Sequence, residues 1–88
     1  MSWNVSLARE AAKQLKSIPP DRRKRVLDDI REIAEDPFRG LVKSLKGKEY
    51  QGCYRKVSGR YRIIFKPAHA THSVEVQMVL LRNERTYK

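Results

Sequence analysis

The sequence predicts an α+β domain in the order strand, two helices, three strands, with an antiparallel-rich sheet and a helical hairpin packed on one sheet face. Three observations lead there: a short alternating segment at the start, two apolar stripes of helical period after it, and a second half written in alternating runs. Helices and strands are segregated along the chain, which leaves the far face of the sheet available.

Trp3, Val5 and Leu7 alternate with Asn4 and Ser6, the pattern of a strand with one buried face. From Leu7 the period changes, and Leu7, Ala11, Leu15 and Ile18 fall on one side of a helix. Pro19 and Pro20 stop it. Proline also suits the first turn of a new helix, and Val26, Leu27, Ile30, Ile33 and Ala34 form a second stripe that ends near Asp36 and Pro37. Residues 38–52 have no clean period and carry Gly40, Gly47, Lys43, Lys46 and Lys48, which reads as a basic loop with room for a short strand. Three strands follow, Gly52 to Val57, Arg60 to Lys66 and Ser73 to Leu81, separated by Ser58-Gly59 and by the segment from Pro67 to His72.

A length of 88 residues suits one small domain, 1–88, with a single core. Lys and Arg number 20 against 10 Asp and Glu, a net charge of +10, while 40% of residues are hydrophobic. That balance argues against disorder and points to an anionic partner: nucleic acid, an acidic protein or a membrane surface. Cys53 is the sole cysteine, so the chain can form no internal disulfide and no cysteine-based zinc site. The opening residues have no basic segment followed by an apolar run, and the longest apolar stretch is Met78 to Leu81, so a cytoplasmic protein is expected. His69 and His72 sit three apart in a loop with no third ligand in view. Neither a metal nor a cofactor is called for.

Cations concentrate on the later strands, where Tyr54, Arg55 and Lys56 precede Arg60, Tyr61 and Arg62, and the tail adds Arg82, Arg85, Tyr87 and Lys88. Arginines beside tyrosines on strands favour a polyanion, RNA first. A turn at Ser58-Gly59 pairs Val57 with Arg60 and sets Arg55 directly opposite Arg62. Tyr54, Tyr61, Ile63 and Phe65 then face the helices, while Arg55, Arg60, Arg62 and Ile64 face away. Opposed arginines repel unless they share an anion such as a phosphate. The second helix begins with Arg22, Arg23, Lys24 and Arg25 and ends in acids, against the preference of the helix dipole; this basic cluster is either a solvated face or a contact for a nucleic-acid backbone. Lys43, Lys46 and Lys48 extend the same surface.

The ordered pieces Leu15-Lys16-Ser17-Ile18-Pro19, Asp36-Pro37, Leu45-Lys46-Gly47, Tyr54-Arg55, Gly59-Arg60-Tyr61-Arg62-Ile63-Ile64-Phe65 and Arg82 to Tyr87 resemble the RelE/ParE toxins of toxin-antitoxin modules over nearly the whole chain. Each piece is weak alone; their order and spacing are specific. The RelE branch implies a ribosome-dependent endoribonuclease that cuts messenger RNA in the A site by attack of a 2′-hydroxyl on the adjacent phosphodiester, without metal, and RNA is required because DNA lacks that nucleophile. By position, the resemblance places Arg55 at a basic residue of the second strand and Arg62 as phosphate clamp. It places Arg82 at the leaving oxygen, and Tyr87 in base stacking or proton handling.

RelE members often have a second basic residue two positions after the first. This chain has Val57 there, with Lys56 displaced by one and pointing away from Arg55 unless a bulge near Ser58-Gly59 turns it; Lys56 is the expected base on that condition. The ribosome and messenger would meet Arg22, Arg23, Lys24, Arg25, Lys43, Lys46, Lys48, Arg60, Arg85 and Lys88. A toxin also implies a cognate antitoxin, an acidic segment docking on Ile64, Val79 and Leu81 as apolar positions away from the helices. The alternatives are a ParE-like inhibitor of DNA gyrase and a basic RNA-binding module without catalysis.

Overall fold

The structure is a computed structural model, and it describes residues 3–40 and 42–81. Strand β1 (Asn4–Leu7) leads into helices α1 (Arg9–Ser17) and α2 (Pro20–Glu35). Strand β2 (Val42–Ser44), a single 3-10 turn (Lys48–Tyr50) and strands β3 (Tyr54–Ser58), β4 (Tyr61–Ala68) and β5 (Ser73–Leu81) follow. The sheet runs β1-β5-β4-β3-β2, with β1 parallel to β5 and every other neighbouring pair antiparallel. The predicted α+β architecture is present, with β2 as a fifth strand. A three-residue strand holding one apolar side chain, Val42, leaves almost no period to detect.

Both helices lie on one sheet face. Ala11 and Leu15 of α1, Ile18 just after it, and Val26, Ile30 and Ile33 of α2 are buried against Ile63, Phe65, Val74, Val76 and Val79. Leu7 and Leu27, expected in the two stripes, are exposed at 43% and 37%; α1 starts only at Arg9, so Leu7 stays on the edge strand. The turn between the helices is held by Arg23, whose Nη2 donates to the carbonyls of Lys16 at 3.1 Å and Ile18 at 2.9 Å. These are acceptors that the end of α1 would otherwise leave without a partner.

The β3–β4 hairpin pairs Ser58 with Tyr61, so its two-residue loop is Gly59-Arg60, one position later than the expected Ser58-Gly59. Gly59 has φ +60°, and a positive φ at the first central position of a hairpin turn is where glycine is favoured. A register irregularity falls between Ile64 and Phe65 on the β4–β5 side, where Ile64 pairs with Met78 but Phe65 with Val76, leaving Gln77 over. One extra residue reverses the facing of everything beyond it.

The face away from the helices is partly covered. The chain leaves β2, passes through the 3-10 turn and returns to β3, with the amide of Leu45 donating to the carbonyl of Cys53 at 3.0 Å to close the excursion. Leu45, Tyr50 and Met78 pack on a second cluster of Cys53, Ile64 and Leu80. At one end of the domain, Trp3 stacks on His72 at 4.1 Å between ring centroids and meets His69 edge-on at 5.5 Å, and Phe38 stacks on His69 at 5.7 Å. The two histidines therefore pack in a ring cluster that ties the β4–β5 loop to the start of the chain.

Strand β1 covers β5 only as far as the Leu7–Val76 pair, after which the Ala8 amide donates to the Val76 carbonyl at 2.9 Å. Beyond that point α1 takes over: Gln14 Oε1 accepts from the Val79 amide at 2.6 Å.

Candidate nucleic-acid interface

Alternation along β3 and β4 sends Arg55, Val57, Arg62 and Ile64 to the outer face, as the sequence predicts, but the corrected turn changes who meets whom. Arg55 pairs with Ile64, and Arg62 lies between Val57 and Leu80. The two arginines are diagonal neighbours, which sit about 7–8 Å apart on a sheet, close enough to share one phosphate without direct opposition. The residue directly opposite Arg55 is Lys43 on β2. Lys43, Arg55 and Arg62 thus form an oblique row across three strands, with Ile64, Leu80 and their cover beside it. Arg55 and Arg62 are half-buried, so an anion between them is screened less than on open surface.

Lys56 is not in that row. Its Nζ donates to Glu32 Oε1 of α2 and to the Arg39 carbonyl at 2.9 Å, and the residue is only 3% exposed. The reason is parity: β3 and β4 pair without interruption from Tyr54 to Ser58, so no bulge turns Lys56 outward, and the irregularity of the sheet lies on the other side of β4. The expected base stands on the opposite face from Arg55 and Arg62, in an ion pair that ties α2 to the sheet.

The hydrogen bond and charge of Lys56 hold the Glu32 carboxyl below its ordinary value of 4.5, with Arg39 adding to this and burial opposing it. A folded-state value below the unfolded one means stability that is complete above about pH 4.5 and lost as the pH falls through the lowered value. Acid unfolding followed by circular dichroism is therefore expected to show a shallower decline below pH 4.5 for Glu32→Gln than for wild type, from a lower starting stability. Superimposable pH profiles would remove this pair from the account of acid stability.

The other candidate residues divide. Arg22, Lys24 and Arg25 are exposed on the first turns of α2, whereas Arg23 is taken up by the carbonyls of α1. Arg60 is exposed at the hairpin turn, and Lys43, Lys46 and Lys48 are exposed on β2 and the excursion after it. Of the three apolar docking positions, Ile64 is fully buried and Val79 is 4% exposed in the helix-side core; Leu81 is 38% exposed. Strict alternation from Val74 and Val76 would turn Val79 and Leu81 outward. The extra residue at Gln77 reverses that phase and brings Met78 and Leu80 to the outer face instead. Arg82, Arg85, Tyr87 and Lys88 lie outside the described residues.

Cys53 is buried, and its Sγ donates to Gln77 Oε1 at 3.6 Å. Burial pushes its thiol up, which suits a packing residue rather than a nucleophile. Glu32 and Tyr50 were not singled out by sequence reasoning. Glu32 is one more acid on a charged helix until its partner is seen, and Tyr50 is an aromatic inside a polar loop, the one signal that something there is covered.

A five-stranded mixed sheet with a helical hairpin on one face is the RelE-type toxin fold, and solved structures share it. The RelBE2 toxin-antitoxin complex from Mycobacterium tuberculosis matches with a TM-score of 0.82 at 20% identity, over 93% of this chain and 100% of that one. An archaeal RelE-RelB complex from Pyrococcus horikoshii matches at 0.79 and 22%, over 96% and 99%, and the RelB-RelE complex from Methanococcus jannaschii at 0.65 and 28%, over 86% and 88%. No protein-family model matches the sequence, and the search of curated proteins gives no match. Among the described residues, no helix is long and apolar enough to cross a membrane.

Proposed function

We propose that this protein is the toxin of a toxin-antitoxin module, acting in the cytoplasm as a metal-independent endoribonuclease that cuts messenger RNA in the ribosomal A site. The observation that carries the reading is the row of Lys43, Arg55 and Arg62 on the outer face of a sheet whose fold is that of RelE toxins. In the reaction, the 2′-oxygen forms a bond to phosphorus as the bond from phosphorus to the 5′-oxygen breaks. A proton leaves the 2′-hydroxyl, another reaches the departing 5′-oxygen, and the products are a cyclic phosphate and a free 5′-hydroxyl. Arg62 and Arg55 hold the non-bridging oxygens, where charge rises in the transition state. Arg82 meets the leaving oxygen and Tyr87 stacks on a base. No proton runs through Lys56 in this scheme.

A cognate antitoxin is the second partner, and the solved RelE-RelB complexes support it. With Ile64 and Val79 buried, Leu81 is the apolar docking position that remains accessible. The sequestered Lys56 favours a second reading, gyrase inhibition without nuclease chemistry, and a YoeB/ParE toxin from Agrobacterium tumefaciens shares the fold with a TM-score of 0.74. Reconstituted translation with mapped messenger ends, run beside a gyrase supercoiling assay, separates the two. Ribosome-dependent cuts with unaffected supercoiling are expected, and intact messenger with blocked supercoiling would replace the first reading with the second.

A further inference from the structure

A cavity of about 190 Å³ opens on the helix side of the β3–β4 turn, against the first turn of α2. Arg22 and Arg25 line it from the helix and Arg60 from the turn, with Asp21 the acid among its walls. Arg25 lies across the turn, so close that a Cβ on Gly59 would stand 3.5 Å from its Cδ and Nε. Ser58, which also lines the cavity, is 2% exposed, and its Oγ has no hydrogen-bond partner. A hydroxyl shut away from water without a partner is costly and uncommon. Here it lines the same cavity as Arg22, Arg25 and Arg60, against the start of a 16-residue helix whose first turn has no side-chain cap. Helix N-termini favour anions, and arginine forks match phosphate oxygens.

We infer that this cavity is a second phosphate site, taking a backbone phosphate of single-stranded RNA. Arg22, Arg25 and Arg60 neutralise it, and a small swing of Arg25 off Gly59 lets the Ser58 hydroxyl donate to one of its oxygens. The phosphate chemistry stands on the cavity alone, while its RNA source rests on the function proposed above. One hairpin carries both sites: Arg55 and Arg62 on its outer face and the cavity behind its turn, so a strand wrapping over Gly59-Arg60 is gripped away from the bond being cut.

The test uses the full chain, off the ribosome, with a fluorescent oligouridylate whose binding is followed by anisotropy over a range of salt. Ser58→Ala is expected to weaken binding about tenfold, the worth of a hydrogen bond to a charged group, with an unchanged salt slope. Arg25→Gln and Arg60→Gln are expected to weaken binding and flatten the slope of log K against log salt by about 0.7 each, one single-strand phosphate contact. Melting of Ser58→Ala should be no lower than wild type, because the hydroxyl it loses is unsatisfied; Arg60→Gln, at an exposed position, keeps the test valid if the alanine variant folds poorly. Inorganic phosphate is titrated in parallel, read at the Gly59 amide by NMR. Wild-type affinity and slope in all three variants would overturn the site. A Gly59 shift with phosphate but no loss of RNA binding would overturn the RNA assignment in favour of a free-phosphate pocket. Failure of the cleavage reading shows only on the ribosome, so the two outcomes stay separate.

Discussion

Arg62→Ala is expected to lower ribosome-dependent messenger cleavage by about 10²–10³-fold, the usual loss when a preorganised donor to a developing oxyanion is removed. Arg62 sits on β4 between Val57 and Leu80, half-buried, with its position fixed by strands on both sides. A guanidinium held in a partly dry place needs little reorganisation when charge appears on the phosphate, and its planar fork meets two oxygens at once. Arg62→Lys keeps the charge and loses the fork, so its rate should fall between alanine and wild type. The loss should appear mainly in the rate at saturating ribosome, with thermal melting near wild type because the main core lies on the other face of the sheet. Cleavage at the wild-type rate by a folded Arg62→Ala protein would end the proposed chemistry.

Lys56→Ala is expected to destabilise the fold by about 1–2 kcal/mol, the scale for losing a buried stem and its hydrogen bonds while the part-exposed Glu32 stays hydrated, without a comparable loss in cleavage below its melting temperature. Lys56→Met should be milder, since it fills the space of the stem and removes the buried charge, while the part-exposed Glu32 carboxylate returns to water. Glu32→Ala should destabilise as well, leaving the ammonium with the Arg39 carbonyl. Chemical denaturation gives the stabilities, and the translation assay gives the rates. A fully stable Lys56→Met protein with abolished cleavage would mean that the ammonium reaches the reaction after all, by a rearrangement of α2 against β3.

The elements that announce themselves by period were legible: the helical hairpin from its two stripes, the strands from alternation, and the outward facing of Arg55 and Arg62 from parity alone. What escaped depends on single residues that shift a count by one. Moving the turn from Ser58-Gly59 to Gly59-Arg60 keeps Arg55, Arg62 and Ile64 facing outward but exchanges partners, which is why Arg55 meets Lys43 and Ile64 in place of Arg62, and it takes Arg60, expected on the outer face, into the turn beside α2. The extra residue at Gln77 does the opposite, and sequence alternation cannot reveal it because Met78, Val79, Leu80 and Leu81 are all apolar. Contacts between distant segments were invisible for a different reason. Glu32 and Lys56 are 24 positions apart, and the unpartnered Ser58 hydroxyl becomes noticeable only when its surroundings are assembled.

The contact between Gln14 and the Val79 amide bears on what the flank of the sheet offers to another chain. A strand end with free amides is an invitation for another chain to zip on, and β5 loses its parallel neighbour after Val76. A single carboxamide from α1 plugs that gap, mimicking the carbonyl of an absent strand. The first helix thereby leaves an incoming strand one amide fewer to pair with at the sheet's flank, a duty its amphipathic stripe alone would never suggest.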